Sequence, residues 1–230
     1  MTQLTFDLPH RATLSRADFF VSDGNATAVG WVDRWPDWPT GVLMLHGPSG
    51  SGKTHLAHLW CERAAADVVV GKALDEKMVE RLVIERRHRV AIDDADGAPE
   101  LALLHLHNFC LECRGNVLIT ARRSPESWRV GLDDLGSRLR AALAVAIGPP
   151  DDALLGAVLV KHFADRQLYV APEVITYLIR RMERSFSAAA DITARLDAAA
   201  LRDKGAVTIS LARNILAQAG YPSASDFGVT

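Results

Sequence analysis

An α/β fold, with a parallel-sheet domain followed by a smaller all-helical domain, is predicted from three observations. Short apolar runs of strand character alternate with helical segments over roughly the first 150 residues. A glycine-rich octapeptide follows the first of these runs. After Gly148-Pro149-Pro150, every segment has helical periodicity. Strands separated by helices in this rhythm imply parallel strands joined by right-handed crossovers.

The octapeptide matches the phosphate-binding pattern G-x-x-x-x-G-K-[ST]. It reads Gly47-Pro48-Ser49-Gly50-Ser51-Gly52-Lys53-Thr54. Its glycines and serines let successive backbone N–H groups turn inward around a phosphate. Lys53 can reach the β- and γ-phosphates, Thr54 can ligate Mg²⁺, and the loop opens a helix that begins at about His55. An apolar run at 42–46 precedes it, so strand, loop and helix follow in the required order, which predicts binding of a nucleoside di- or triphosphate.

The next strands end in polar residues that complete such a site. Strands are predicted at 67–70, 90–92, 116–120 and 143–147, with helices over 55–65, about 73–87 and 99–113. Asp93 and Asp94 follow the third strand, and Thr120 ends the fourth. Ligands bind beyond the carboxyl ends of parallel strands, where all three side chains would lie. We expect Asp93 to hold the metal with Thr54, and Asp94 to orient or activate a water.

The helical region divides the chain into predicted domains. Helices are expected at 151–166, 172–184, 187–202 and 210–219, with Asp151 or Asp152 capping the first and Pro172 in a first turn. Residues 13–150 would form the nucleotide domain and 151–220 a helical lid domain. An N-terminal tail at 1–12 and a loose C-terminal tail at 221–230 would flank them.

Composition bounds the function. The 230 residues carry a net charge of −2, so no general basic field favours nucleic acid. No secretory signal or membrane-spanning run is visible, so we expect a cytoplasmic protein without membrane contact. Cys110 and Cys113 form a lone C-x-x-C in an apolar helical run, and buried packing is the favoured interpretation.

Two clusters have more than one interpretation. The basic residues 86–89 could complement a helix dipole in a last turn or form a nucleic-acid patch, and we favour the dipole interpretation. The second cluster is Trp31, Trp35 and Trp38, for which we favour core packing over a partner surface.

Arg138 follows Asp133-Asp134 just before the fifth strand, and an arginine there can stabilise charge on a transferring phosphoryl group, in cis or from a partner subunit.

The order of these parts resembles the AAA+ ATPases of the DnaA type. The closest likeness is to the Hda family of DnaA-homologous regulators of replication initiation, in particular the short alphaproteobacterial form. It covers nearly the whole chain: the P-loop, the strand ending in Asp93-Asp94, the segment 118–125, the segment 134–139 and the helical lid. The resemblance implies ADP or ATP as ligand, with Phe20 and Asn25 in an adenine-side box at 17–25, and an arginine finger at Arg138.

The N-terminus adds a candidate partner. Thr2-Gln3-Leu4-Thr5-Phe6-Asp7-Leu8-Pro9 is similar to peptides that dock on the replication sliding clamp. Leu4, Phe6 and Leu8 would anchor an extended tail in a groove, with Gln3 hydrogen-bonding at one end. The alternation of polar and apolar residues from Gln3 to Leu8 fits an ordinary edge strand as well as it fits a clamp-binding peptide. The resemblance favours clamp binding.

A mechanism follows from the resemblance. The nucleotide-bound protein would sit on DNA-loaded clamp, touch DNA only through it, and promote ATP hydrolysis on DnaA through Arg138. Self-association is a further option. The family's lid arginine is missing, with Ser187 or Ala188 at its position and Arg184, one turn earlier, as a candidate substitute. The strand-four polar sensor is also altered, with Thr120 the best candidate. Weak intrinsic hydrolysis is therefore expected.

Other functions share some of these features. A small-molecule kinase has a P-loop, but the helical bundle and the tail at 3–8 argue against it. A helicase-loader AAA+ ATPase, which has no duplex-reading domain, is a nearer alternative. Binding to helicase in place of clamp would favour that function. A pure binding module would hold ADP without turnover, which single-turnover hydrolysis would reveal.

Overall fold

A computed structural model describes residues 19–203 and 205–221 of the chain. Five parallel strands form one sheet in the order β2-β3-β4-β1-β5. The strands are β1 Val42–His46, β2 Asp67–Val70, β3 Arg89–Asp93, β4 Asn116–Ala121 and β5 Leu143–Ala146. The helices of this domain are α1 Ala26–Asp33, α2 Lys53–Ala64, α3 Glu76–Ile84, α4 Glu100–Glu112 and α5 Asp133–Ala141. The predicted α/β class and the predicted strands are confirmed, whereas α1 and α5 carry no clear sequence signal.

Helices cover both faces of the sheet. On one face, α3, α4 and α5 pack around the buried side chains of Val90, Ile92 and Ile119. On the other, α1 and α2 pack against Leu43 and Leu118. Strands buried on both faces read as continuous apolar runs, which is why the sequence revealed them.

The tryptophans confirm the packing interpretation. Trp38 is buried and stacks on Trp60 of α2 with ring centroids 5.3 Å apart. Trp35 meets the same Trp60 ring edge-on at 6.3 Å. The Trp38 indole Nε1 donates to the Trp31 carbonyl at 2.8 Å. These rings therefore fix α1 and the following loop onto α2.

Two local predictions are wrong. Helix α3 ends at Ile84, because Arg86 adopts a left-handed φ of 54° and the chain turns back, so the basic residues 86–89 are not its last turn. Arg87 instead pairs with Asp67 through Nε and Oδ2 at 2.6 Å.

Cys110 is buried as expected, and burial raises the pKa of its thiol to about 12. Cys113 is exposed, because it ends α4.

A separate core holds the helical domain together. It consists of α6 Asp152–Asp165, α7 Pro172–Ile179, α8 Phe186–Asp203 and α9 Ile209–Gln218. Leu155, Leu159, Ile192 and Leu196 are fully buried in its core. Helix α7 is shorter than predicted, and a turn at 180–185 leads into α8. Within the part of the chain that the structure describes, no helix has the length and apolar character of a membrane span.

Candidate functional site

The sheet order brings the predicted site residues together. Strands β3, β4 and β1 are neighbours, and all run in the same direction. Their carboxyl ends therefore carry Asp93, Thr120 and the start of the P-loop at one edge. The Gly47 N–H donates to the Ala121 carbonyl at 3.2 Å, which ties the P-loop to the end of β4.

The P-loop depends on its glycines. A Cβ at Gly47 would collide with the Ile147 carbonyl, so the loop must pass β5 closely. Gly50 and Gly52 have φ angles of 68° and 93°, in the left-handed region that favours glycine. These bends turn the chain from β1 into α2, whose N-terminus is suited to an anion. The predicted cradle is thus sterically consistent with a bound phosphate.

Lys53 lies inside this loop. Its Nζ donates to the carbonyls of Gly47 at 2.9 Å and Pro48 at 2.6 Å, and lies 3.4 Å from Ser51 Oγ. Burial lowers the pKa of the Lys53 ammonium, and the nearby Asp94 and Asp93 carboxylates oppose that shift. Lys53 therefore stands between the loop and the acidic pair, as a phosphate-binding lysine requires.

A chain of hydrogen bonds links the proposed metal ligands. Thr54 Oγ1 lies 3.0 and 3.1 Å from the two carboxylate oxygens of Asp93. Thr120 donates from Oγ1 to Asp93 Oδ1 at 2.6 Å and accepts from the Asp94 N–H at 2.9 Å. A hydroxyl and a carboxylate in contact, with phosphate oxygens alongside, are a ligand set that suits Mg²⁺. These residues fit the expected cation.

Asp94 differs from its neighbour in burial and conformation. Asp93 is buried, whereas Asp94 is exposed and has a left-handed φ of 52°. Among the carboxylates, that of Asp94 raises the pKa of Lys53 most, so its charge acts on the P-loop lysine. Asp94 is thus placed at the solvent side of the site, where water can reach it.

The residues of the predicted adenine-side box differ in their contacts. Asn25 is 3% exposed, accepts from the Ser22 N–H at 2.9 Å and donates to the Phe20 carbonyl at 3.0 Å. It therefore fixes the loop that bears Phe20. Phe19 is the ring that meets His55 of α2, with centroids 5.0 Å apart, and a Cβ at Gly52 would lie 3.5 Å from it. Phe19, which precedes Phe20 in the predicted box, is thus the ring that lies against the start of α2.

The lid reaches the P-loop through the start of α8. The Phe186 N–H donates to the Gly50 carbonyl at 2.9 Å. A Cβ at Gly50 would lie 2.6 Å from Ser187 Oγ, whereas Ala188 is buried in the lid core. Arg184 points elsewhere: its Nη2 pairs with Asp152 Oδ1 at 2.9 Å, and both side chains are exposed. Serines therefore stand at the lid surface nearest the phosphate loop.

Arg138 lies apart from this site. It is on α5, with its Nη2 3.2 Å from Asp134 Oδ2, one turn earlier. The charge of Arg138 acts on His107 of α4. His107 lies seven residues beyond Glu100, the first residue of α4, which corresponds to about 10 Å along the helix axis. The proposed clamp residues Gln3, Leu4, Phe6 and Leu8 lie outside the described residues.

Arg122 was missed by the sequence analysis. It directly follows β4, and its N–H donates to Asp96 Oδ2 at 2.6 Å. Its guanidinium has no hydrogen bond or ion pair with the residues described here, and its charge adds to the lowering of the Lys53 pKa. The sequence signal was an arginine immediately after the strand that neighbours the P-loop strand. The order of the strands in the sheet had to be known before this signal could be used.

Solved structures with the same fold include DnaA. Domain III of DnaA from Thermotoga maritima superimposes with a TM-score of 0.77 at 16% sequence identity, covering 92% of this chain and 98% of that chain. AMPPCP-bound DnaA from Aquifex aeolicus gives a TM-score of 0.59 at 20% identity, covering 72% and 59%. The RuvB branch migration motor from Thermotoga maritima gives 0.64 at 15%, covering 76% and 61%. These likenesses show the fold.

The helical domain has a more specific likeness. Residues 152–216 match the family model for the lid domain of Hda. The match begins with α6 and ends within α9. The chain therefore has the fold of DnaA domain III, and its helical domain is similar to the lid domain of Hda.

Proposed function

We propose that this protein is a negative regulator of chromosomal replication initiation. It binds adenine nucleotide and the sliding clamp, and it stimulates hydrolysis of DnaA-bound ATP through Arg138 acting in trans. The match of residues 152–216 to the Hda lid is the observation that carries this proposal. The arrangement of Gly47, Lys53, Thr54 and Asp93 supports the nucleotide part.

The position of Arg138 supports action on another molecule. The N-terminus of α4 lies near the ligand edge of the sheet, and its Glu100 carboxylate accepts from the N–H groups of Gly131 and Leu132 just before α5. Arg138 is further down α5, beside His107. It makes no contact with the P-loop among the described residues, which suits an arginine that acts on a partner's nucleotide.

The nucleotide on this chain then acts mainly as an assembly ligand. Arg184 pairs with Asp152, and Ser187, which with Ala188 is a candidate for the position of the family's lid arginine, lies near Gly50 of the P-loop. Without that charge, stabilisation of a transferring phosphoryl group in cis is weaker. Thr54 and Asp93 would hold Mg²⁺, which neutralises phosphate charge when bound.

The test is hydrolysis of ATP bound to DnaA. The reaction contains sliding clamp loaded on DNA and either the wild-type chain or Arg138→Ala. Because an arginine finger speeds phosphoryl transfer by about 10³- to 10⁵-fold, the variant should lose nearly all stimulation. A reaction without DnaA measures turnover by this chain itself.

Arg140→Ala is the matched control. Arg140 lies on the same helix, is exposed, and folds over Gly136, so its loss should leave stimulation intact. Equal activity of Arg138→Ala and wild type would refute the proposed function. Binding of clamp is measured separately with the triple variant Gln3→Ala, Leu4→Ala, Phe6→Ala, which should abolish it.

A further inference from the structure

The chain that leads into α5 is held by a carboxylate from another helix. Glu100, the first residue of α4, accepts the Gly131 N–H on Oε1 and the Leu132 N–H on Oε2, each at 2.9 Å. One side chain therefore binds two consecutive backbone amides, directly before α5 begins at Asp133. Hydrogen bonds to an ionised carboxylate are stronger than those between neutral groups. Glu100 thus fixes the start of α5 to the start of α4.

Helix α5 has no cap from its own side chains. Its N-cap residue is Leu132, which makes no side-chain capping hydrogen bond. The N–H groups at the start of a helix need acceptors, which Ser, Thr, Asp or Asn usually supply. With nine residues, α5 is also shorter than the length at which an isolated helix becomes stable. The position of α5 therefore depends on contacts with the rest of the domain.

The body of α5 is held by a second kind of contact. Leu135 and Leu139 are buried in a core that they share with Leu103 and Leu106 of α4. Such apolar contacts keep the two helices together, but the hydrophobic effect has no direction. The paired hydrogen bonds from Glu100 do have a direction. They therefore define where the axis of α5 begins and how the helix is turned about that axis.

Arg138 follows any movement of this helix. It lies six residues beyond Leu132, which corresponds to about 9 Å along the helix axis. Its Nη2 lies 3.2 Å from Asp134 Oδ2, one turn earlier on α5, and its side chain is 37% exposed. The guanidinium is thus tied to its own helix. The direction in which it meets another molecule is therefore set by the orientation of α5.

We propose that Glu100 is a positioning residue for Arg138. By holding the start of α5, its carboxylate sets the direction in which this helix presents the arginine to a phosphate group on a partner molecule. This inference rests on the proposed function of Arg138. Glu100 acts through the helix and does not itself meet the partner's nucleotide. Because a misplacement of about 1 Å can cost about a hundredfold in rate, a small shift at the start of α5 has a measurable effect.

The first test uses the DnaA-bound ATP reaction with DNA-loaded clamp. The concentration of the wild-type chain, Glu100→Ala or Glu100→Gln is varied, and the maximal rate and the half-saturating concentration are measured. Glu100→Ala removes both acceptors and should lower the maximal rate at least about tenfold. Glu100→Gln keeps one acceptor oxygen and should give an intermediate rate. The half-saturating concentration should stay within about twofold, since Arg138 and the outer surface of α5 remain.

A merely structural role of Glu100 predicts a different result. Unfolding of part of the variant lowers the concentration of active protein, which raises the half-saturating concentration and leaves the maximal rate unchanged. Glu112→Ala is the matched control, because Glu112 is the exposed last residue of the same helix. It removes the same charge from the end of α4 opposite Glu100, and the maximal rate should stay at the wild-type value.

A double variant tests whether Glu100 acts through Arg138. When Arg138 is already replaced by alanine, adding Glu100→Ala should lower the residual rate no further, because no arginine is left to position. If Glu100→Ala lowered the rate by the same factor with and without Arg138, the two residues would act independently. That result would overturn the inference.

A last readout does not depend on DnaA. In the full chain labelled with ¹⁵N, the Gly131 and Leu132 N–H groups should exchange with water at least about tenfold faster in Glu100→Ala than in the wild type. Glu112→Ala should leave their exchange unchanged. Equal exchange in Glu100→Ala and wild type, or an unchanged maximal rate in Glu100→Ala while Arg138→Ala is inactive, would overturn this inference and leave the proposed function standing. Full activity of Arg138→Ala would instead refute the proposed function.

Discussion

The Thr120 hydroxyl lies at the centre of the hydrogen bonds in the nucleotide site. It is fully buried, and its single proton goes to Asp93 Oδ1 at 2.6 Å. Its lone pair accepts the Asp94 N–H, which fixes the left-handed turn at Asp94. Thr54 then lies 3.0 Å from the second Asp93 oxygen. The geometry gives Thr120 the task of holding the acidic pair in place.

At the same scale, Arg122→Ala should weaken nucleotide binding. The Arg122 backbone N–H donates to the Asp96 carboxylate, and the Arg122 charge acts on Lys53 of the P-loop. A partly exposed charge contact contributes up to about 1 kcal/mol, which corresponds to about a fivefold rise in Kd. Titration of the wild type and the variant with ADP, at low and high salt, measures the difference.

Arg123→Ala is the control for that titration. Arg123 is the next residue and also exposed, but no charge effect links it to Lys53. Its replacement removes the same net charge and should leave the Kd within about twofold at physiological salt, where distant charges are screened. Equal weakening by both variants would mean that only the overall charge matters.

The residue scale also shows which site residues sequence alone can reveal. The P-loop is eight consecutive residues, so its chemistry is legible without the fold. Asp93 could be placed because it ends an apolar strand. The positions of Phe19 and Arg122 could not be predicted, since they depend on which ring turns toward Gly52 and on which strand lies beside β1. Those are tertiary facts with no local signal.

Helix ends are the least predictable features at the scale of elements. The strands and the helices α2, α4, α6, α8 and α9 follow from apolar runs or long periodic stripes. Helix α5 has only Leu135, Gly136 and Leu139 buried, which is too short a pattern to distinguish from a charged loop. Helix α3 ends early because Arg86 turns left-handed, which periodicity does not encode.

The start of α6 gives a prediction at this scale. The Asp151 side chain accepts from the Leu154 N–H at 2.7 Å, so Asp151 is the cap, and the sequence had left Asp151 and Asp152 as alternatives. Asp151→Ala should lower the free energy of unfolding by about 1 kcal/mol, the usual contribution of such a cap. Urea unfolding monitored by circular dichroism measures it.

Asp152→Ala provides the comparison. Asp152 contributes an exposed ion pair with Arg184, which stabilises by less than about 0.5 kcal/mol. The two variants remove the same charge one residue apart. A larger loss in Asp152→Ala than in Asp151→Ala would show that the ion pair, and not the cap, fixes the start of the lid.

Across the whole molecule, the lid and the sheet domain meet at the phosphate loop. Gly50 belongs to the P-loop and Phe186 begins α8, and the hydrogen bond between them joins residues 136 positions apart. Each domain has its own core, so this contact can change without unfolding either. The sequence predicted two domains, but it held no information on where the lid touches the loop.

Stability should fall as the pH is lowered, because both domains contain histidines that are harder to protonate when folded. Burial is the main cause that lowers the pKa of His46, His107 and His162. In the unfolded chain these groups titrate near about 6.5. Below that pH the unfolded chain binds more protons than the folded one, so the contribution is complete above about pH 6.5 and is lost as the pH falls toward the folded values.

Urea unfolding at pH 7.5 and pH 5.5 tests this expectation at constant ionic strength. The wild-type midpoint should decrease on acidification. The double variant His107→Leu, His162→Gln should show a smaller decrease, because it removes two of the groups responsible, one in each domain. A midpoint that rises on acidification would contradict the expectation, and an equal decrease in both proteins would show that carboxylates, and not these histidines, control the acid side of stability.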